Sequence, residues 1–327
     1  MFETDPNLWL QSFASPWLTW LLYAVTTAGY DWFYVTVILV AGFALRLRPM
    51  LGVMLALLLA GLCTHVAKET FRLPRPMQVD ARVLYYGEAN DRWLVADGGA
   101  PSFASLPSPE AILAERAVPD PDFGFISGHV ASATALCASL WLFFGVRSRR
   151  WRLALLAWPV LMALSRMYLG KHFLADAIGG AATGVLAACA ARWLWDPRPA
   201  RLRALAALAI VLAGAAFAWS PLHPSTVSQL LGLAATAALL AWRGFPDDRA
   251  PWVARLARVG LAFALYAITH LSLDGMFGWA GWTEADPATI PLATLGTVLV
   301  LYGTVFFSRA MGLYRNAGPR AAAEAAA

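Results

Sequence analysis

The chain has 327 residues, 59% of them hydrophobic and only 14% charged, against roughly half and a quarter in soluble domains. That balance excludes an ordinary water-soluble enzyme and points to a membrane protein. The net charge of +5 is carried by arginines at the ends of apolar runs and calls for no nucleic-acid partner.

The first 45 residues contain no Lys or Arg, so the positively charged start of a secretory signal is missing. Residues 8–28 are apolar, interrupted by Ser15-Pro16 and rich in Trp and Tyr, which suits an interfacial segment; a membrane crossing is the alternative. Nine apolar runs then approach the length needed to cross a bilayer, at 32–46, 50–67, 129–146, 153–169, 173–194, 204–220, 227–242, 257–274 and 290–308. The sequence therefore predicts an all-α polytopic membrane bundle. Residues 1–30 form an interfacial amino-terminal segment, 31–198 a six-helix-type core, 199–316 four further spans and 317–327 a frayed tail.

Arginine placement orients these spans. Arg46 and Arg48; Arg147, Arg149, Arg150 and Arg152; Arg192, Arg198, Arg201 and Arg203; Arg243, Arg249, Arg255 and Arg258; and Arg309, Arg315 and Arg320 all fall in alternate connections or at the end of the chain. The positive-inside rule makes that side cytoplasmic, with the amino terminus outside. Cys63, Cys137 and Cys189 lie inside predicted spans without metal-ligand spacing and read as packing residues. The remaining basic residues, Lys68, Arg72, Arg75, Arg82, Arg92, Arg116, Arg166 and Lys171, face outward, where the rule disfavours them. Among them runs a long outer loop, residues 77–125, with Tyr85, Tyr86 and Trp93. A loop of that length suggests a lid over a site; a mobile excursion without a role is the bland reading.

Three stretches at outer span ends carry chemistry. Lys68-Glu-Thr-Phe-Arg-Leu-Pro-Arg75-Pro76 ends the second span, because its prolines cannot continue a helix. Gly124-Phe-Ile-Ser127-Gly128-His129 opens the third, and the free N–H groups of a helix start favour an anion. Ser165-Arg166 is followed by His172 and Asp176, whose i, i+4 spacing puts them on one helix face. A carboxylate beside an imidazole fixes its tautomer, as a histidine nucleophile requires. Permanent cations, a hydroxyl, helix-end amides, two histidines and a carboxylate are together the parts that phosphoryl transfer uses.

The pattern K-x6-R-P, S-G-H, S-R-x5-H-x3-D is similar to the three-part signature of the type 2 phosphatidic acid phosphatase superfamily. That superfamily includes lipid phosphate phosphatases, glucose-6-phosphatases and vanadium haloperoxidases. The resemblance spans residues 30–195, and Tyr168-Leu-Gly170 shares in it. It implies His172 as the phosphorylated nucleophile, Asp176 as its hydrogen-bond partner, and His129 as the acid that protonates the leaving oxygen. It further implies Lys68, Arg75, Ser127, Gly128 and Arg166 as the phosphate-binding set, with no metal and no cofactor. Ile126 stands where that family usually has proline, which puts the geometry of the Ser-Gly-His turn in question.

Several rival readings carry less weight. His129, His172 and Asp176 could ligate a metal, but three neighbouring cations would repel one. A transporter would place its charges near the bilayer midplane, not at span ends. His270 and Asp274 repeat the i, i+4 spacing without a preceding Ser-Arg and read as a local helix pair, as do Glu69 and Arg72 as a local ion pair. His65 and His223 carry no pattern. The expected activity is therefore metal-independent hydrolysis of a lipid phosphate or pyrophosphate at the outer face, periplasmic in a bacterial inner membrane or luminal in an endoplasmic reticulum. A sugar phosphatase of the glucose-6-phosphatase kind and a lipid phosphotransferase are the alternatives.

Overall fold

The computed structural model describes residues 1–86, 95–119, 121–195, 199–217 and 222–314. The tail expected at 317–327, the boundary at 198, and Arg92, Trp93, Arg198, Arg315 and Arg320 lie outside the described residues. Among the described residues regular structure is helical, apart from an isolated antiparallel bridge between Asp80 and Asp97. The all-α class read from the sequence is what the structure has. The chain divides into two compact units: Met1–Tyr34 with Leu59–Ala190, and Val35–Leu58 with the chain from Ala191 on.

In the first unit the helices are α1 (Asp5–Gln11), α2 (Pro16–Thr27), the second half of α4 (Leu47–Phe71), α5 (Pro76–Val79), α6 (Pro109–Arg116), α7 (Gly128–Phe144), α8 (Arg149–Tyr168) and most of α9 (Leu174–Leu194). Helix α3 (Asp31–Ala44) opens at the end of the unit's first segment. Helix α4 stops at Phe71 because Arg72 adopts a left-handed conformation, φ 51°, and Pro74 and Pro76 follow. Val25 of α2, Val130 and Ala133 of α7, Met162 and Met167 of α8 and Ala177 of α9 meet in one buried cluster. Helices α7 and α9 approach closely through Gly180 and Gly184. A Cβ at Gly180 would lie 2.5 Å from the Ser127 carbonyl, and one at Gly184 would lie 2.4 Å from that of Ala131. Small residues four apart are what allow membrane helices to touch backbone to backbone.

The outer loop is packed rather than a loose excursion where it is described. Val79 and Ala111 are fully buried against Phe173, with Phe2 and Val95 alongside. Burying a phenylalanine is worth about 1.5–3 kcal/mol, so this contact holds the loop over the residue next to His172.

The second unit contains α10 (Pro199–Ala216), α11 (Pro224–Arg243), α12 (Trp252–Ala280), α13 (Ile290–Val298), a π-helical segment (Leu299–Gly303) and α14 (Thr304–Ala310). Gly232 sits against Thr297 and the Thr294 carbonyl, and Gly296 against Thr269 and Leu273. Arg258, grouped by sequence with the solvated cytoplasmic arginines, is instead fully buried. Its guanidinium lies 4.2 Å from the Tyr314 ring centroid and donates to the Asp248 carbonyl at 3.2 Å.

Each of the nine expected spans coincides with a helix, but the described residues hold five helices that are alone long and apolar enough to cross a membrane. Counting the bent pair α2 and α3 makes six. Of the three helices outside that count, α7 has 17 residues, α8 begins with Arg149, Arg150 and Arg152, and α10 carries Arg201 and Arg203 near its start. Cys137 is buried as expected of a packing residue, whereas Cys63 and Cys189 are exposed on their helices.

Candidate active site

The third stretch is a tight turn between α8 and α9. Gly170 takes φ 73°, and a Cβ there would lie 2.5 Å from the Leu84 carbonyl, so only glycine suits both the backbone and the space. Lys171 N–H donates to the Arg166 carbonyl at 3.1 Å and closes the turn. His172 is thereby set at the head of α9, with its Nδ1 3.2 Å from Asp176 Oδ2; Phe173 N–H donates to the same oxygen at 2.9 Å. Both groups are buried, His172 at 1% and Asp176 at 0% exposure.

The second stretch is fastened directly to the third. Ser127 precedes α7, and its N–H donates to the Asp176 carbonyl at 3.0 Å, while Gly124 N–H donates to Leu73 O at 2.7 Å. Ile126 is buried, and its Cγ2 lies 2.6 Å from where a Cβ on Gly179 would stand. The turn is therefore positioned by packing and two backbone hydrogen bonds in a chain that lacks the proline.

The first stretch supplies cations. Arg75 is 6% exposed, and its fork is held at three points. Nε donates to the Asp122 carbonyl at 2.9 Å, one terminal nitrogen to the Lys171 carbonyl at 3.3 Å, and the other to the Asp122 carboxylate. Arg166 is 4% exposed and donates to Thr26 Oγ1 at 2.9 Å. Lys68, in the last turn of α4, interacts electrostatically with Arg75, Arg166, Asp122 and Asp176. His129 and His172 each interact electrostatically with Lys68, Arg75 and Arg166. The structure thus brings all eight sequence-predicted residues, Lys68, Arg75, Ser127, Gly128, His129, Arg166, His172 and Asp176, into one neighbourhood of the first unit.

Four buried polar atoms there, Ser127 Oγ, His129 Nε2, Arg166 Nε and Asp176 Oδ1, make no hydrogen bond among the described residues. An unmade buried hydrogen bond costs about 1–3 kcal/mol, so such a cluster marks this as a candidate site. In the turn outside the helices, His172 is held well below the ordinary imidazole range, first by burial and then by Arg75, Arg166, Lys68 and His129. Its neutral, nucleophilic form is the one these surroundings favour.

Sequence reasoning missed two sets of partners. The first is the amino-terminal segment. Asn7 Nδ2 donates to the carbonyls of both Met167 and His172, at 2.8 and 3.0 Å. Gln11 Nε2 donates to the Tyr168 carbonyl at 2.8 Å, and Thr19 Oγ1 lies 2.6 Å from Tyr168 Oη. Ser165 Oγ donates to Leu22 O at 2.6 Å. Gly29 leaves room for the His129 ring, since a Cβ would fall 2.1 Å from its Cδ2, and Tyr30 meets that ring edge-on at 5.1 Å. Phe2 packs on both Phe125 and Phe173. A signal was present: Asn7 and Gln11 are i, i+4 polar residues on a short helix in an apolar segment. The second set is Asp122, Glu115 and Gln78, scattered through the outer loop with no motif spacing.

Elsewhere, His270 Nδ1 lies 2.8 Å from Asp274 Oδ2 in an exposed pair on α12, and Arg72, just past the end of α4, pairs with Glu69 at 3.4 Å, both local contacts. His223 Nδ1 lies 2.9 Å from Ser225 Oγ near the start of α11.

None of the curated proteins compared matches the chain. Among solved structures it is similar to the crystal structure of Aquifex aeolicus LpxE, at 16% identity and a TM-score of 0.42, covering 58% of this chain and 94% of that one. Residues 49–200 match the family model described as the PAP2 superfamily. The three stretches all fall inside that match and Asn7, Gln11, Thr26 and Gly29 outside it, so residues 49–200 are similar to the PAP2 superfamily.

Proposed function

We propose that the chain is an integral-membrane phosphatase that hydrolyses a lipid phosphate or lipid pyrophosphate through phospho-His172. The observation that carries this reading is the buried His172–Asp176 pair ringed by Lys68, Arg75 and Arg166. Three cations around one imidazole suit a phosphoryl group, whose equatorial oxygens must be neutralised, and disfavour a divalent metal.

In the proposed reaction the Asp176 carboxylate accepts the Nδ1–H of His172 and leaves the Nε2 lone pair to attack phosphorus. The P–N bond forms as the bond to the leaving oxygen breaks, and His129 supplies the proton that oxygen needs. His129 then takes a proton from water, whose oxygen attacks the phosphohistidine and releases orthophosphate and neutral His172. Lys68, Arg75 and Arg166, with Ser127 Oγ and the Gly128 N–H at the start of α7, hold the phosphoryl oxygens. Arginine placement supports an outward, periplasmic site, and residues at span ends suit a substrate whose headgroup lies at the bilayer surface.

The test is phosphate release by the purified full chain from undecaprenyl pyrophosphate, phosphatidylglycerol phosphate, phosphatidic acid, sphingosine phosphate and glucose 6-phosphate. Wild type should prefer a lipid and survive a chelator, and His172→Ala should release none. Full activity in His172→Ala, or complete loss with chelator, would overturn the mechanism. A wide preference for glucose 6-phosphate would move the substrate class to sugars, and transfer to an acceptor alcohol would make the enzyme a phosphotransferase.

A further inference from the structure

A closed circuit of hydrogen bonds joins the outer loop to the phosphate-site arginine. The Arg75 N–H donates to Gln78 Oε1 at 2.7 Å, and Gln78 Nε2 donates to Glu115 Oε2 at 3.0 Å. Glu115 Oε1 accepts from the Asp122 N–H at 2.8 Å, and the Asp122 carboxylate and carbonyl both accept from the Arg75 guanidinium. Gln78 and Glu115 are buried, at 2% and 1% exposure, so water cannot easily substitute for a lost partner. Glu115 lies on α6, inside the outer loop, and Asp122 lies at the loop's return to the Ser-Gly-His turn.

The donor arithmetic shows what the circuit does. A guanidinium has five N–H groups. Asp122 takes two and the Lys171 carbonyl a third, which among the described residues leaves one N–H on each terminal nitrogen, the pair that a bidentate phosphate contact needs. Free to rotate, Arg75 would present its fork in many directions, so this anchoring is a form of pre-organisation.

From this geometry we infer that Asp122, Glu115 and Gln78 are positioning residues that aim the Arg75 fork at the phosphoryl group and couple its aim to the folded outer loop. The inference rests on the proposed phosphate site and deepens it, assigning the loop a part in substrate binding.

The circuit also supplies its own rescue. Glu115→Gln can accept only one of its two hydrogen bonds and turns an N–H toward a donor, and Gln78→Glu leaves two carboxylate oxygens facing each other. The double variant Q78E/E115Q restores every donor to an acceptor with the same net charge. We expect E115Q and Q78E each to raise KM about tenfold, the size of one misaligned charge-assisted hydrogen bond, with kcat changed much less, and the double variant to return KM to within about twofold of wild type.

Orthophosphate binding to the detergent-purified full chain, followed by calorimetry, reports the same circuit without turnover. It should weaken about tenfold in each single variant and recover in the double. Wild type that binds orthophosphate, with this pattern, but hydrolyses nothing on the panel would sink the proposed reaction and leave the circuit standing. Single variants that bind orthophosphate and substrate like wild type, or a folded double variant as impaired as the singles, would overturn the inference. Tighter orthophosphate binding in Asp122→Asn would also overturn it, since that would make the carboxylate a competitor for Arg75 and not its guide.

Discussion

The two units of this chain are held together by different chemistry. The first buries Asn7, Gln11, Thr26, Arg75, Gln78, Glu115, Arg166, His172 and Asp176, and most of their hydrogen bonds join residues far apart in sequence, Asn7 to His172 and Thr26 to Arg166 among them. The second buries mainly hydroxyl residues such as Thr289 and Thr304 beside apolar ones, and the bonds these two make are local, from Thr289 Oγ1 to the Asp286 carbonyl and from Thr304 Oγ1 to the carbonyl four residues back. Its helices meet through glycines. The contrast teaches that long-range polar clamps are spent where side chains must be aimed, and small-residue packing suffices where helices need only stand together.

The comparison breaks most sharply at Asp176. Replacement by Asn should keep the size and lose the carboxylate that fixes the His172 tautomer, lowering kcat by roughly a thousandfold or more. Phosphate release and acid-quench trapping of the phosphoenzyme would measure it, and a variant within tenfold of wild type would remove Asp176 from the proposed mechanism.

Next comes Asn7→Ala, which strips a partner from the His172 carbonyl at an expected cost of about 1–3 kcal/mol, while the Met167 carbonyl keeps the Gly170 N–H. If the amino-terminal segment aims the third stretch, kcat/KM falls by about ten- to a hundredfold. An unchanged kcat/KM would make this segment packing alone, like the helices of the second unit.

The pH profile sharpens the same point with a smaller effect. Protonation destroys the His172 nucleophile, and burial with nearby cations holds that protonation below its ordinary value of 6.5. Once the substrate's own ionisation is divided out, kcat/KM should therefore fall less than about twofold between roughly pH 7.5 and 5.5, where an unshifted histidine would lose about tenfold. An acid limb centred at the ordinary histidine value would mean that the cations do not act on His172 as described.

The smallest effect on activity is expected in the second unit. Gly232→Val pushes a side chain into Thr297 and the Thr294 carbonyl and should lower the melting temperature, in line with about 1–3 kcal/mol of overpacking. Turnover at low temperature should stay within about twofold of wild type. A large loss of kcat without a change in melting would give the second unit a part in catalysis.

Much of the candidate site was legible before the fold was known. Lys68, Arg75, Ser127, His129, Arg166, His172 and Asp176 stand in short stretches whose spacing follows local rules: prolines that end a helix, a helix start, and an i, i+4 pair. Spans were legible to the extent that they are simple apolar runs, and less so where α8 begins with arginines or α2 and α3 bend by 59° between them.

The amino-acid sequence by itself determined that this is an all-α membrane chain with its candidate site residues gathered at span ends, because hydropathy, charge and helical periodicity are local properties of a chain. Only the tertiary structure decided that Asn7 holds His172, that Thr26 accepts from Arg166, and that Gln78, Glu115 and Asp122 close a circuit on Arg75. Those contacts link residues whose separations carry no periodic signal, and they exist because a buried polar group must find its partner wherever the packed chain brings one.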